Sequence, residues 1–156
     1  MAADMLERID HVNLVVQDLE AMTRFYTRVL GLIITKRVRI SGPWVEGVVG
    51  LEGVEADVVY LDLPDGPRVE LIQYLGPSGR RPEGLELSNT PGLRHLAFRV
   101  ADIDEVAAAL RAGGIEPLSK VSQVPDEQVT YTGGVCKRLV YFRDPEQNLL
   151  ELCEYR

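Results

Sequence analysis

The chain has 156 residues and a formal net charge of −7 at pH 7, from 17 Lys and Arg against 24 Asp and Glu. This length suits one domain with a sizeable core, and the acidic balance argues against nucleic acid as a partner, since that needs clustered basic side chains. The N-terminus lacks the basic and apolar regions of a signal peptide, and no apolar run has the length of a membrane span. We therefore expect a cytoplasmic protein that does not bind membranes.

The first half of the chain combines strand and helix patterns. HVNLVV, residues 11–16, alternates in polarity like a half-buried strand. After Asp18 the apolar residues follow helical spacing, with Asp18 as the N-cap and Gly31 as the stop. Three further strands are predicted, with a tight turn at residues 64–67 between the last two: LIITKRVR, ADVVYLDLP and PRVELIQYL.

The second half repeats this order. The interval between His11 and His95 equals the interval between Asp18 and Asp102. The helix predicted after Asp102 ends at the Gly113-Gly114 pair, and three strands are expected after it: IEPLSKV, KRLVYFRDP and NLLELCEY. The chain is thus predicted to be an α+β protein of two βαβββ modules, about 7–74 and 93–156, with a Gly- and Pro-rich connector at 75–92. The modules are expected to pair in one domain with a curved, cupped mixed sheet.

Four ionisable residues occupy matched positions in this repeat. The two histidines begin the first strand of their modules, and Glu70 and Glu151 lie in the last strands, at nearly the same interval. Alternation directs all four toward the concave face. Each residue alone is more typical of a structural or solvated position, but four together need neutralisation when they are desolvated. We therefore predict a metal site of His11, Glu70, His95 and Glu151 on that face.

The ligand types limit which metals are expected to bind. Imidazole and carboxylate without thiolate suit Zn, Ni, Co, Mn or Fe(II). The two cysteines are isolated in the sequence and are expected to be free thiols. Four protein ligands in an octahedral shell leave two positions open, which favours catalysis over support of the fold.

Several motifs resemble those of the vicinal oxygen chelate superfamily, over nearly the whole chain: HVNLVV, FYTRVLGL, VELIQY, RHLAFRVADID, FRDPEQN and LLELCEY. That superfamily includes glyoxalase I, methylmalonyl-CoA epimerase, extradiol dioxygenases and bleomycin resistance proteins. The resemblance implies a single vicinal oxygen chelate domain over residues 1–156, with the same four metal ligands and a homodimeric assembly.

Differences between this chain and the family motifs indicate which members of the superfamily it resembles most. Glu70 as a fourth ligand argues against extradiol dioxygenases, and His-Glu-His-Glu resembles bacterial glyoxalase I. The arginine and asparagine that would contact glutathione there are replaced by Val15 and Tyr74. Methylmalonyl-CoA epimerase is similar in size and in its second module but carries glutamine in place of Glu70. The same resemblance places Asp57 near a second carboxylate base.

The predicted function is a metal-dependent isomerase or lyase, epimerase-like or glyoxalase-like, acting on a small 2-oxo or acyl thioester substrate. Glu151, with Glu70 or Asp57, is expected to move the α proton. Two alternatives stay open: an extradiol-type dioxygenase, and a small-molecule-binding protein of the resistance type. For substrate contacts we expect Trp44, in a glycine-bearing loop that forms a lid, with Tyr131 and Arg138 at the edge of the cleft.

Overall fold

The computed structural model describes residues 6–156 and contains two compact units, divided after Arg81. Each unit holds its own four-stranded mixed sheet, with helices added to it. The α+β class and the βαβββ order of both modules are confirmed. The expected mixed sheet forms as two sheets, one in each unit, because each module completes its own with its own four strands.

Unit 1 has the strand order β1-β4-β3-β2. Strand β1 runs parallel to β4, and the other pairs are antiparallel. Its elements are β1 (His11–Val15), α1 (Leu19–Arg24, continued by a π-helical turn Phe25–Val29), β2 (Ile33–Ser41), α2 (Pro43–Val49), β3 (Glu55–Asp62) and β4 (Arg68–Gly76).

Unit 2 repeats this topology with the order β5-β8-β7-β6. Strand β5 runs parallel to β8, as β1 does to β4. Its elements are β5 (His95–Arg99), α3 (Ile103–Ala112), β6 (Ser122–Gln123), a 3-10 turn (Thr132–Gly134), β7 (Lys137–Arg143) and β8 (Leu149–Tyr155).

Both predicted helix starts are confirmed. The Asp18 carboxylate accepts a hydrogen bond from the Ala21 backbone N–H, and Asp102 accepts two at the start of α3. Such caps satisfy donors that have no partner inside the helix. Buried apolar side chains from strand and helix form the core of each unit, among them Met22, Tyr26, Leu61 and Leu71 in unit 1 and Ile103, Leu110, Phe142, Leu150 and Leu152 in unit 2.

Two local predictions are wrong. IEPLSKV, residues 115–121, forms no strand, although the Leu118 N–H donates to the Tyr141 carbonyl; the strand paired with β7 covers Ser122–Gln123. Pro117 within that segment has no N–H to donate to a ladder, which explains the interruption. Trp44 lies in helix α2 rather than in a loop, because Pro43 suits a first helical turn and Gly50 adopts the left-handed conformation that ends it.

Candidate functional site

Each unit carries a histidine, a tyrosine and a glutamate on one face of its sheet. In unit 1, Asn13 lies opposite Glu70 in the β1–β4 pair, and Tyr60 lies opposite Glu70 in the β3–β4 pair. Because alternate residues of a strand share a face, His11 belongs to the same row as Asn13. The Asn13 side-chain amide donates to Glu70 Oε1 at 2.6 Å, and the Tyr60 phenol also interacts with Glu70.

Unit 2 places the same residue types around Glu151, which is 3% exposed. His95 Nε2 lies 3.2 Å from Glu151 Oε2, and the Tyr141 phenol interacts with the same carboxylate. The His95 and Tyr141 rings are 5.1 Å apart. The buried carboxylate thus meets an imidazole and a phenol on one sheet face.

Lys137 neutralises Glu151. Its Nζ lies 2.7 Å from Glu151 Oε1, and the lysine side chain is only 17% exposed. Burial acts to lower the pKa of the Lys137 ammonium, but the hydrogen bond and charge of Glu151 raise that pKa above its usual value. The ion pair offsets the desolvation cost of the Glu151 carboxylate. From the sequence pattern, that neutralisation was expected to come from a metal alone.

The tyrosines respond to the carboxylates they contact. Burial, followed by the Glu70 charge and hydrogen bond, raises the pKa of Tyr60. Burial and Glu151 raise the pKa of Tyr141 in the same way, and Lys137 opposes that shift. Both phenols therefore stay protonated at neutral pH and act as hydrogen-bond donors.

The distance between paired donor atoms suits their binding to one divalent cation. Two ligands about 2.1 Å from one cation and at right angles to each other lie about 3 Å apart, close to the separation of His95 Nε2 and Glu151 Oε2. His11 Nδ1 lies 2.8 Å from Asp10 Oδ2, an arrangement that leaves Nε2 available to a metal. Within residues 6–156, no group of three or more His, Cys, Asp or Glu side chains is arranged to hold a metal ion.

Asp57 is not brought to Glu70. Its carboxylate accepts two hydrogen bonds from Arg39, at 2.7 and 2.8 Å, which lower the pKa of Asp57. Asp57 lies opposite Gln73, whose side-chain oxygen accepts the Leu19 N–H of α1. Asp57 therefore faces the helix side of the sheet, away from Glu70, because an odd spacing along the strand from Tyr60 places it on the other face.

The three expected substrate contacts lie in different settings. Arg138 is ion-paired with Asp104 at 2.9 Å and with buried Glu154 at 3.1 Å, so it faces α3 rather than Glu151. The Tyr131 ring packs edge-on against Tyr155, with 5.5 Å between centroids. Tyr155 shares a row with Glu151, which keeps Tyr131 beside the Glu151 face. Trp44 is 62% exposed on α2.

The two tyrosines were not predicted as site residues. A signal for them was present, since Tyr60 and Tyr141 are separated by the same interval as Glu70 and Glu151. The repeat gave no indication of the role of Lys137, because Ala56 occupies the corresponding position of unit 1.

Comparisons with known proteins agree with this architecture. Residues 8–152 match the Glyoxalase/Bleomycin resistance protein/Dioxygenase superfamily. The chain is 31% identical over 148 residues to a 2-epi-5-epi-valiolone epimerase of an Actinomyces species, covering 92% of this chain and 77% of that protein. It is also 31% identical to the uncharacterized protein YwkD of Bacillus subtilis, over 96% of this chain and 98% of that one.

Among solved structures, a glyoxalase family protein from Bacillus cereus superposes with a TM-score of 0.80 at 29% identity, covering 99% of this chain and 98% of that one. No helix within residues 6–156 has the length and apolar character needed to cross a membrane.

Proposed function

Because the chain belongs to the glyoxalase/bleomycin resistance protein/dioxygenase superfamily, we propose that it is a divalent-metal-dependent epimerase that moves a proton at the carbon beside a substrate carbonyl. The observation that carries the proposal is the repeated His, Tyr and Glu face, with Glu151 buried beside His95. The 31% sequence identity to a protein named as an epimerase favours epimerisation over a glyoxalase-type lyase reaction. Membership alone leaves the reaction open, since one fold hosts many chemistries.

The proposed metal ligands are His11, Glu70, His95 and Glu151, and Zn, Ni, Co, Mn or Fe(II) suit these donors. When bound, the cation supplies a Lewis acid that makes the proton beside the substrate carbonyl more acidic. Glu70 accepts a hydrogen bond from Asn13 and lies beside Tyr60, as metal-binding carboxylates commonly carry such support.

The chain's own carboxylates move the proton in this proposal. An epimerase takes a proton from one face of a carbon and returns one to the other, so two carboxylates suit the reaction. Glu151 and Glu70 fill these roles, and Asp57 is left out because it faces α1. Lys137 holds Glu151 Oε1, which leaves Oε2 beside His95. Tyr60 and Tyr141, each beside one of the two carboxylates, are the proposed donors that orient them.

The first test is the metal content of protein purified without chelator. We expect about one transition metal per chain in the wild type and loss of that metal in His95→Ala. Glu105→Gln, on the exposed start of α3, is the control and should keep its metal. A wild type that stays free of metal after reconstitution with all five candidate metals would contradict the metal-dependent mechanism.

The second test follows the proton. The metal-loaded protein is incubated in deuterated buffer with 2-epi-5-epi-valiolone, methylmalonyl-CoA or a hemithioacetal, and α-deuterium incorporation is measured by NMR. We expect exchange with one of them and a loss of at least about 100-fold in Glu151→Gln, because a positioned acid or base contributes about that much or more. Lack of exchange in all three substrates would remove the proton-transfer proposal.

A binding protein is the second candidate, favoured by the exposed apolar side chains of α2. Trp44 is 62% and Val48 77% exposed. Trp44 is the only tryptophan, so its fluorescence reports on this surface alone. Fluorescence that saturates with an apolar ligand, without deuterium exchange in the metal-loaded protein, would favour binding over catalysis.

A further inference from the structure

We infer that Arg99 forms a binding site for an anionic group of the ligand, a phosphate or a carboxylate. The site lies on the sheet face of unit 2 that carries His95 and Glu151. The inference rests on the proposed function in one respect, because it takes that face to be where the substrate lies. Its support comes from the contacts of Arg99 and the charge of the face.

Aromatic contact, rather than a carboxylate, holds the Arg99 guanidinium. Its central carbon lies 5.2 Å from the centroid of the Tyr155 ring, and the arginine is exposed. No Asp or Glu within residues 6–156 forms an ion pair with it. Stacking on an aromatic ring fixes the plane of a guanidinium and leaves its N–H groups free to bind an anion.

Lys137 lies near the same ring but is already neutralised. Its Nζ is 6.0 Å from the Tyr155 centroid and 2.7 Å from Glu151 Oε1. The pairing register places Arg99, Lys137 and Glu151 on one face of the β5-β8-β7 strands. Arg143, the other arginine of this face, donates to the Glu86 carbonyl. Lys137 and Glu151 neutralise each other, whereas Arg99 remains an uncompensated cation on this face of an otherwise acidic protein. Such a cation attracts anions locally.

The spacing along the strands sets the shape of the ligand. Glu151 lies opposite Ala97, and Arg99 is two residues further along β5, which is about 7 Å in a strand. A substrate whose reacting carbon meets Glu151 therefore places its anionic group several bonds away, at Arg99. Small dicarboxylates and phosphate esters have this length. At the corresponding position unit 1 carries Val15, so the feature belongs to unit 2 alone.

The test measures anion binding by NMR of the 15N-labelled full chain, stripped of metal with EDTA and then dialysed free of the chelator, so that neither metal, turnover nor a competing polycarboxylate contributes. Succinate and pyrophosphate are the probes, and succinamide is the neutral analogue of succinate. Arg99→Gln removes the charge, and Arg99→Lys keeps it without the planar fork. Arg24→Gln, at an exposed arginine of α1, changes the net charge equally and is the matched control. The spectra also show whether each variant is folded.

We expect saturable shifts at Arg99 with at least one anion and none with succinamide. The dissociation constant should rise about tenfold in Arg99→Gln, rise less in Arg99→Lys, and stay within about twofold in Arg24→Gln. The tighter of the two anions identifies the group as carboxylate or phosphate. Equal weakening in Arg99→Gln and Arg24→Gln, or no saturable shift in the wild type, would overturn the site.

Failure of this inference is distinguishable from failure of the proposed function. Deuterium exchange with unaltered anion binding in Arg99→Gln removes only the anion site. Anion binding at Arg99 without deuterium exchange removes only the epimerase proposal.

Discussion

Units 1 and 2 share a strand order and the same His, Tyr and Glu positions, yet they surround their glutamates differently. Glu70 is half-buried and contacts the neutral donors Asn13 and Tyr60. Glu151 is buried and ion-paired with Lys137. The comparison shows that the repeat keeps the donor atoms while the charges around them differ. The two carboxylates therefore lie in different electrostatic surroundings.

The difference comes from substitutions at equivalent positions. Lys137 in unit 2 corresponds to Ala56 in unit 1, which belongs to an apolar cluster with Val58 and Ile72. Arg99 likewise corresponds to Val15. Two corresponding positions on the glutamate-bearing face are thus apolar in unit 1 and basic in unit 2.

The largest expected effect is a difference in stability between variants of Lys137 in unit 2 and Lys36 in unit 1. Lys137→Met leaves Glu151 buried without a counter-charge and should lower the free energy of unfolding by about 3 kcal/mol. Lys36→Met is the counterpart, since exposed Lys36 lies 5.9 Å from the Tyr60 ring centroid, and it should cost less than about 0.5 kcal/mol. Urea unfolding followed by circular dichroism measures both. Equal losses would mean that the buried ion pair does not distinguish the units.

The helix caps give the next effect. Asp102→Ala should lower the free energy of unfolding by about 1 to 2 kcal/mol, and Asp18→Ala by about 1 kcal/mol or less. The order follows from the backbone donors at each helix start, because Asp102 caps the N–H groups of Asp104 and Glu105 whereas Asp18 caps that of Ala21. Thermal unfolding of the two variants against Ser119→Ala, on an exposed loop, is the measurement. A larger loss in Asp18→Ala would reverse the predicted order.

A smaller effect concerns acid stability in unit 1. Arg39 lowers the pKa of Asp57 below its unfolded value near 3.8, so the stabilisation is complete above that pH and is lost as the pH falls through the folded pKa. Asp57→Asn should cost about 0.5 kcal/mol at neutral pH. Its stability should also decline less steeply than that of the wild type below about pH 4. Urea titrations from pH 6 to 3 test this, with Asp65→Asn in the β3–β4 turn as control.

The smallest effect compares the tyrosines. Because the Lys137 charge lowers the pKa of Tyr141, Lys137→Met should raise that pKa further and leave the pKa of Tyr60 unchanged. Both pKa values are already raised in the folded state. Their stabilisation is therefore complete below about pH 10 and is lost as the pH rises through the folded values. NMR titration of ring carbons measures the shift. An equal change at both tyrosines would indicate a general rearrangement.

The sequence predicted elements whose signals are local. Asp18 and Asp102 mark helix starts because a cap needs only the next turn, and the equal intervals between matched residues revealed the repeat. Alternation along β3 also contains the reason why Asp57 faces α1, although its family position suggested otherwise. The strand expected at 115–121 does not form, because Pro117 interrupts it. The effect of a proline depends on whether the neighbouring strand needs its missing N–H, which the sequence does not show.

The ion pair of Lys137 with Glu151 was beyond sequence reasoning. It depends on the register of β7 against β8, which places Lys137 opposite Tyr155 and Tyr141 opposite Glu151. A shift of one residue would turn Lys137 to the helix side, where Arg138 now lies. The stacking of Arg99 on Tyr155 depends in the same way on the parallel register of β5 with β8.

The parallel edge strands have a consequence for the order of folding. Among the strands within residues 6–156, β1 pairs only with β4, and it brings together Asn13 and Glu70, which are 57 residues apart in the chain. Contacts this distant must repay a large loop-closure entropy, so they form more slowly than the hairpin of β3 and β4. We therefore expect each histidine-bearing strand to dock late, so that the carboxylate of a folding unit is in place before its imidazole.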